Sequence, residues 1–282
     1  MSSETTAVLA FGILALLLLF VGGRRGFFQF NPPPWPVPIN LLHLIGGFAI
    51  YFFVSAVGVK LILALFQKQL MLHFATYSSW INFILSLLIF LFLALYMALL
   101  PRTVSRGILL REKHPLIEDV WAAFYAWMMA FPLVLFLSQF LEMIVIKIFH
   151  LPKIPEQIAV KFLKSTFSNP PLFIMAILSI IVFAPLIEEL LFRGLLQSYI
   201  RKHVGPKHAI LVTSACFSLF HYASGQGLGN ISIILSLFVL ALFLGFLYEK
   251  QGSLLAPIVL HSTFNAISVI NLYLFGGFTS GL

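Results

Sequence analysis

Two glutamates and an arginine stand in one otherwise apolar stretch of the chain, FAPLIEELLFR at residues 183–193. An ionisable group at the centre of a membrane helix costs about 2.5–3.5 kcal/mol unless it is paired or reaches water. Glu189 and Arg193 are spaced to share one face of a helix, so they can form a pair. Glu188 points about 100° away around the helix and has no partner in its own segment, so its partner must be water or a group on another helix.

Two histidines occur in similar apolar surroundings further along the chain. His221 ends the sequence FSLFH, and His261 begins the sequence HSTFN, which ends in Asn265. His261 and Asn265 are one helical turn apart, so both side chains can contact the same group. At about 1.5 Å of rise per residue, Glu188, His221 and His261 each lie roughly 16–21 Å from the nearest basic residue of an adjoining loop. Three polar groups at one depth on three helices predict a single buried site.

Each of these residues also has an explanation that requires no chemistry. Membrane helices use polar side chains to hold their neighbours, so the Glu189–Arg193 pair can be purely structural. A neutral histidine such as His221 can be satisfied by a neighbouring helix, and Asn265 alone says little. The functional interpretation therefore depends on the occurrence of these groups together at one depth, since ionisable residues inside a membrane usually mark functional sites.

The elements that must position these residues are membrane-spanning helices. Of the 282 residues, 61% are hydrophobic and 9% are charged, and the mean hydropathy is +1.04. A soluble domain carries about 25% charged residues, so lipid must surround most of this chain. Apolar runs of about 17–25 residues are long enough to span a bilayer, and they predict an all-α polytopic bundle of about eight transmembrane helices. The runs cover residues 5–22, 38–66, 77–100, 117–149, 171–200, 207–223, 231–248 and 253–275.

The basic residues indicate how the chain is oriented rather than a nucleic-acid partner. The net charge is +8, but Lys and Arg stand singly or in pairs between apolar runs and form no basic stripe. An N-terminus outside the membrane places ten of them on the inner side and five on the outer side, in agreement with the positive-inside rule. The ten are Arg24, Arg25, Arg102, Arg106, Arg111, Lys113, Arg201, Lys202, Lys207 and Lys250. We therefore expect an integral multi-pass protein, in the inner (plasma) membrane if the host is bacterial, whose site opens to the inner side.

Prolines and glycines indicate where the chain departs from regular helix. Pro185 and Pro257 lie shortly before Glu188 and His261. An internal proline removes a backbone hydrogen bond and kinks a helix, so both prolines are expected to open room for water near the site. The glycine-rich segment 223–230 is predicted to act as a flexible gate or a re-entrant loop.

The polar motifs resemble the CPBP family, which includes CAAX-type prenyl proteases and bacterial proteins of bacteriocin processing or immunity. The motifs that carry the resemblance follow in order on successive helices: Glu188-Glu189-x-x-x-Arg193, Phe217-x-x-x-His221 and His261-x-x-x-Asn265. The resemblance implies a protease core within residues 117–282. The transmembrane helices of residues 1–116 carry no recognisable signature.

What the resemblance implies is an intramembrane endopeptidase that acts near the C-terminus of a membrane-tethered substrate, prenylated in the CAAX-type members. Glu188 and His221 would activate a water molecule for attack on the peptide bond. His261 and Asn265 would stabilise the negative charge that develops on the carbonyl oxygen. The adjacent Glu–Arg pair would brace the helix and hold the base in its orientation.

Metal use and protein class leave alternatives open. A metal-free mechanism is preferred, but Glu188, His221 and His261 could instead be three zinc ligands, although no HExxH sequence fixes two of them on one helix. A paired-aspartate protease is excluded because Asp119 is the only aspartate. A membrane scaffold, a bacteriocin-immunity protein or a proton-coupled transporter could retain the same polar residues. Transporters usually contain related halves with broken helices, and the sequence has no such repeat.

Overall fold

The protein is a bundle of α-helices in its computed structural model, which describes residues 3–32, 37–110 and 115–276. The chain is 85% helical. No strand occurs in the described ranges, where one isolated bridge joins Leu110 to Ser253. The helices are α1 (Ser3–Arg24), α2 (Leu41–Leu72), α3 (Phe74–Leu99), α4 (Arg102–Leu109), α5 (Leu116–Phe149), α6 (Ile158–Lys164), α7 (Pro170–Val204), α8 (Pro206–Phe220), α9 (Gly229–Gln251) and α10 (Leu255–Phe275).

Seven of these helices are long and apolar enough to cross a membrane, namely α1, α2, α3, α5, α7, α9 and α10. They confirm the all-α polytopic fold that the apolar runs predict. The span predicted at residues 207–223 is instead the 15-residue α8, about 22 Å long and therefore shorter than an apolar core of about 30 Å. It ends where the glycine-rich turn begins, in which Gly227 has a φ of +50° that residues with side chains disfavour.

The core of the bundle lies around α5 and α7. α5 packs against α1, α9 and α10. Ala123, Ala126 and Ala130 are buried in this contact, and their small side chains let the helix backbones approach closely. α7 packs against α2 and α3 through a cluster that includes Leu191 and Phe192. Many large apolar side chains of α1–α3 are exposed, as expected for helices that face lipid.

The hydrogen bonding of α7 changes along its length. Residues Leu178–Phe183 and Leu190–Gln197 are π-helical, and the α-helical turn Ala184–Glu189 lies between them. Such π-helical turns are rare and frequently accompany functional sites. Glu188 and Glu189 end the α-helical turn between the two π-helical stretches, so an irregular stretch of α7 lies on either side of the turn that carries the two carboxylates.

The two prolines near the polar residues have different effects. Before Pro185, the Ala184 N–H donates to the carbonyl of Ser179, five residues back, so the expected irregularity is present as a π-helical turn. Pro257 was expected to kink its helix, and this prediction is wrong. α10 begins at Leu255, so Pro257 lies in the first turn, where a missing N–H costs no helical hydrogen bond.

A cluster of buried polar side chains connects the C-terminal ends of α7 and α9. Nε of Arg201 lies 2.9 Å from Oε2 of Glu249, whose side chain is completely buried. Nε2 of Gln197 donates to Oε1 of Glu249 and to the carbonyl of Gly245, both at 3.0 Å. Because buried charges persist only when they are paired, this cluster holds α7 against α9 on the C-terminal side of the two glutamates.

Candidate active site

Glu188, His221 and His261 come from three parts of the chain and meet at one point. Oε2 of Glu188 lies 3.8 Å from Nε2 of His221 and 4.0 Å from Nε2 of His261. Both separations are too long for a direct hydrogen bond and short enough for one bridging water. This oxygen of Glu188 is buried and has no hydrogen-bond partner among the described residues. The structure thus brings together the three ionisable groups that the sequence places at one depth.

The orientation of His221 is set by the helix that it ends. It caps α8 with φ −88° and ψ 5°, and its Nδ1 lies 2.8 Å from the carbonyl oxygen of Phe217. Because a carbonyl only accepts, Nδ1 carries the hydrogen, and Nε2 of the neutral ring presents a lone pair toward Glu188. The side chain of His221 is 30% exposed, so the ring can meet a water molecule.

A chain of buried contacts orients His261. Its Nδ1 lies 2.8 Å from Oε1 of Glu189, and Nη1 of Arg193 donates to the same oxygen at 3.0 Å. Nη2 of Arg193 donates to the carbonyl of Ala241 at 3.2 Å, and the guanidinium carbon lies 4.5 Å from the centre of the Phe217 ring. Glu189 and Arg193 are completely buried. Charges at such positions are stable only when paired and hydrogen-bonded, so this cluster depends on the packing of α7, α9 and α10.

Glu188 and Glu189 are neighbours in the chain, yet their surroundings differ. The rotation of about 100° between successive helical residues directs them to different sides of α7. Glu189 contacts Arg193 and His261 and is fully buried. The side chain of Glu188 is 20% exposed and faces two imidazole nitrogens at distances that direct hydrogen bonds do not span. One carboxylate therefore has the surroundings of a structural group and the other those of a reactive group.

Asn265 lies one turn beyond His261 on α10 and is held by α7. Its Nδ2 donates to the carbonyl of Ile180 at 2.9 Å, within the first π-helical stretch of α7. Ile180 and Asn265 also form part of the wall of a cavity that extends toward α6. A side-chain amide has two N–H donors, so the bond to Ile180 leaves Asn265 a second donor for a ligand.

The segment that follows His221 is closed by one asparagine. Oδ1 of Asn230 accepts from the N–H of Ala223 at 3.0 Å, and Nδ2 donates to the carbonyls of Ala223 and Gly227 at 2.8 and 3.0 Å. Residues Ser224–Gln226 form a short 3-10 turn within it. The structure has a closed turn where the sequence predicts a flexible gate, because Asn230 satisfies the backbone groups of the turn.

One neighbour of the site was not predicted. Tyr51 of α2 lies close enough to Glu188 for an electrostatic interaction, and its ring centre lies 5.5 Å from that of Phe220. A tyrosine in an apolar, aromatic-rich span gives no sequence signal, because tyrosine is common in membrane helices near their ends. The N-terminal helices, which carry no signature, therefore also contribute to the surroundings of the candidate base.

The fit of the site to a metal ion can be judged from its donors. Both histidines engage Nδ1 in a hydrogen bond and turn Nε2 toward a carboxylate, as histidine ligands often do. Zinc, however, needs its nitrogen and oxygen donors at about 2.0–2.2 Å from one point. No group of three or more His, Cys, Asp or Glu side chains in the described part of the chain is arranged to hold a metal ion.

Comparison with known proteins identifies one family. Residues 170–267 match the family described as type II CAAX prenyl endopeptidase Rce1-like. No curated protein and no solved structure matches the chain. The matched range runs from the start of α7 into α10 and contains both glutamates, both site histidines and Asn265. The resemblance to CAAX-type proteases is thereby confirmed, and it rests on the similarity of residues 170–267 to the Rce1-like type II CAAX prenyl endopeptidases.

Proposed function

We propose that the protein is an intramembrane endopeptidase that hydrolyses a peptide bond near the C-terminus of a membrane-tethered substrate, with prenylated CAAX-type tails as the substrate class. The family match supports the type of reaction. The roles of the residues are inferred from the position of Glu188 Oε2, which lies 3.8 Å from Nε2 of His221 and 4.0 Å from Nε2 of His261.

In the first step, Glu188 is the general base. A water molecule between Glu188 and His221 donates one hydrogen to the carboxylate and the other to Nε2 of His221, whose lone pair is fixed by the bond from Nδ1 to Phe217. The carboxylate removes a proton from this water as its oxygen attacks the carbonyl carbon of the substrate. The new C–O bond converts the peptide carbonyl into an oxyanion.

In the second step, His261 and Asn265 stabilise the oxyanion. His261 donates from Nε2 when its ring carries both hydrogens, and the carboxylate of Glu189 then balances the positive charge of the ring. Asn265 donates with the N–H that does not bond Ile180. The C–N bond then breaks, and the amine leaves with the proton held by Glu188. The water oxygen remains in the new carboxylate of the substrate.

The zinc mechanism remains the alternative for the same reaction. Glu188, His221 and His261 would be the ligands, and a bound zinc ion would supply an activated water. The arrangement of the donors favours the mechanism without a metal, and treatment with a chelator separates the two.

A non-catalytic scaffold or immunity protein and a proton-coupled transporter are the rival classes. A scaffold needs the buried Glu189–Arg193 pair but has no use for a second carboxylate, that of Glu188, which faces two imidazole nitrogens at 3.8 and 4.0 Å.

We further propose that the N-terminus lies outside the membrane, because this orientation places most loop arginines and lysines inside.

The experiment that tests the proposal is a cleavage assay with detergent-purified protein. The substrate is a fluorogenic peptide that ends in an S-farnesyl cysteine and three further residues, and 1,10-phenanthroline is present or absent. We expect cleavage that survives the chelator. Cleavage that is lost with the chelator and restored by zinc would establish the metal mechanism, and failure to cleave farnesylated, geranylgeranylated or unmodified tails would contradict the endopeptidase.

A further inference from the structure

Lys250, at the end of α9, is a partly buried cation whose contacts are uncharged. Its ammonium donates to the carbonyl of Phe27 and lies 4.6 Å from the centre of the Phe27 ring and 5.6 Å from that of Phe246. The neighbouring carboxylate of Glu249 pairs with Arg201 instead. A carbonyl and aromatic rings orient an ammonium without neutralising it. The charge of Lys250 therefore has no counter-ion among the described side chains.

The end of α1 places two arginines near this ammonium. The N–H of Phe27 donates to the carbonyl of Gly22 at 2.9 Å, and Gly26 has a φ of +72°. This combination is the turn that commonly ends a helix and redirects the chain, with glycine at the left-handed position. Arg24 and Arg25 stand within that turn. Because Phe27 also holds the ammonium through its carbonyl, the turn fixes the two arginines relative to it.

Neither arginine is neutralised by the fold. Arg24 and Arg25 are exposed, and no carboxylate in the described ranges forms an ion pair with them. The guanidinium carbon of Arg24 lies 5.5 Å from the centre of the Phe20 ring, which is 62% exposed on the lipid-facing surface of α1. A cation that lies on such a ring at the end of a membrane helix is at the depth of the lipid headgroups.

Apolar surface adjoins the three cations. Phe28 is 41% exposed, and its ring centre lies 5.2 Å from that of Phe27 and 6.5 Å from that of Phe243. Phe30 stacks on Phe246 at 5.7 Å. The end of α1 and the end of α9 are thus joined by a layer of aromatic rings with positive charges beside it. A ligand that matches this surface carries a negative charge next to apolar chains.

We propose that Arg24, Arg25 and Lys250 bind the phosphate headgroup of an anionic phospholipid. The guanidinium and ammonium N–H groups donate to the phosphate oxygens, and the acyl chains lie against Phe20 and Phe28. With the proposed orientation of the chain, the site faces the inner leaflet, where anionic lipids attract lysines and arginines next to membrane helices. This lipid site is separate from the candidate active site, and the inference does not depend on the proposed reaction.

Two double variants distinguish a defined site from general attraction between charges. Arg24→Gln/Lys250→Gln removes one arginine and one lysine from the lipid site. Arg106→Gln/Lys207→Gln removes the same two residue types from exposed positions of α4 and α8. In the proposed orientation all four residues lie on the inner side, so both variants lower the positive charge of that side by the same amount.

The test measures the dissociation constant of phosphatidylglycerol from the full-length, detergent-solubilised protein by native mass spectrometry. Phosphatidylcholine, whose headgroup carries no net charge, is the comparison and should bind more weakly to the wild type. Because each juxtamembrane cation adds to the attraction for anionic lipid, the constant for phosphatidylglycerol should rise at least about tenfold in Arg24→Gln/Lys250→Gln. It should change by less than about twofold in Arg106→Gln/Lys207→Gln.

Three outcomes would overturn the inference. An equal rise in both double variants would mean that lipid responds only to the total charge. An unchanged dissociation constant in Arg24→Gln/Lys250→Gln would mean that these cations do not bind the headgroup. Binding of glycerol 3-phosphate as tight as that of phosphatidylglycerol, and weakened by the same variant, would assign the cations to a soluble phosphate.

A second variant keeps the test valid if Lys250→Gln does not fold. Arg24→Gln/Arg25→Gln leaves the bond from Lys250 to the chain intact and changes only exposed side chains. It should also raise the dissociation constant of phosphatidylglycerol at least about tenfold. Its control is Arg102→Gln/Arg106→Gln, which removes two exposed arginines of α4. Equal constants for these two variants would overturn the site.

Discussion

Glu189 and His261 are 72 positions apart in the chain, and Oε1 of Glu189 lies 2.8 Å from Nδ1 of His261. The same oxygen accepts a hydrogen bond from Arg193. The carboxylate that neutralises the buried arginine therefore also determines that Nε2 of His261 faces Glu188. Groups connected in this way respond together when one of them is changed, so we expect the ion pair to contribute to activity as well as to stability.

Loss of Glu189 should destabilise the protein. In Glu189→Ala, Arg193 stays buried without its carboxylate, and an uncompensated buried charge costs about 3–5 kcal/mol. We expect a lower thermal unfolding temperature and a lower yield in detergent. The exposed Glu118, changed to Ala, is the control and should have little effect. Unfolding of Glu189→Ala at the wild-type temperature would show that the pair contributes no stability.

Loss of His221 should abolish cleavage without unfolding the protein. The side chain of His221 is partly exposed and makes its Nδ1 bond within its own helix, so His221→Ala removes few packing contacts. Because positioned proton-transfer groups contribute about 10²–10⁴-fold, we expect a loss of that size in kcat.

A matched control for this substitution lies on the same helix. Nδ1 of His208 makes the same type of bond, 3.2 Å from the carbonyl of Val204, but at the opposite end of α8. His208→Ala should cleave at the normal rate. Equal activity of His221→Ala and His208→Ala would remove His221 from the mechanism.

Arg193→Lys should not be tolerated as a conservative change. The guanidinium of Arg193 donates to Glu189 and to the carbonyl of Ala241 with two different nitrogens and lies over the ring of Phe217. A lysine ammonium cannot reproduce this planar geometry. We expect both a lower unfolding temperature and slower cleavage, measured beside Arg106→Lys at an exposed position of α4. Wild-type behaviour of Arg193→Lys would mean that only its charge matters.

The closed turn after His221 should be required for activity. Asn230→Ala removes three hydrogen bonds that hold the turn, which frees the segment directly attached to His221. We expect faster limited proteolysis at residues 222–229 and a lower kcat. Asn271→Ala, near the end of α10, should change neither. Normal cleavage together with rapid proteolysis would show that the turn can open without disturbing His221.

The sequence predicted the meeting of the polar side chains well, because a polar group surrounded by lipid has few possible partners. A carboxylate, a guanidinium and two histidines in apolar helices must find one another or water, so Glu188, His221 and His261 could be placed together from spacing alone. Multiplying the number of residues between Lys250 and His261 by the helical rise per residue overestimates how deep His261 lies in the membrane. The reason is that α10 begins only at Leu255. The predicted meeting point nevertheless agrees with the structure, since tilted helices can bring different depths together.

Other features depend on contacts that no local sequence pattern encodes. Asn265 bonds the carbonyl of Ile180 within a π-helical stretch of α7, and the sequence LSIIVF contains no signal that predicts π-helix there. Glu249 stands in a Tyr-Glu-Lys sequence typical of a membrane boundary, yet Arg201 and the end of α7 bury it completely. The proximity of Tyr51 to Glu188 follows from the packing of α2 on α7, which hydropathy does not specify.

The most direct test of the mechanism is the cleavage rate of Glu188→Gln compared with wild type and with Glu118→Gln. The amide keeps the size of the side chain but cannot accept the proton from water. Since general bases contribute about 10²–10⁴-fold, we expect a loss of at least about 100-fold with an unchanged unfolding temperature, while Glu118→Gln retains full activity. Cleavage by Glu188→Gln at the wild-type rate would contradict the assignment of Glu188 as the base.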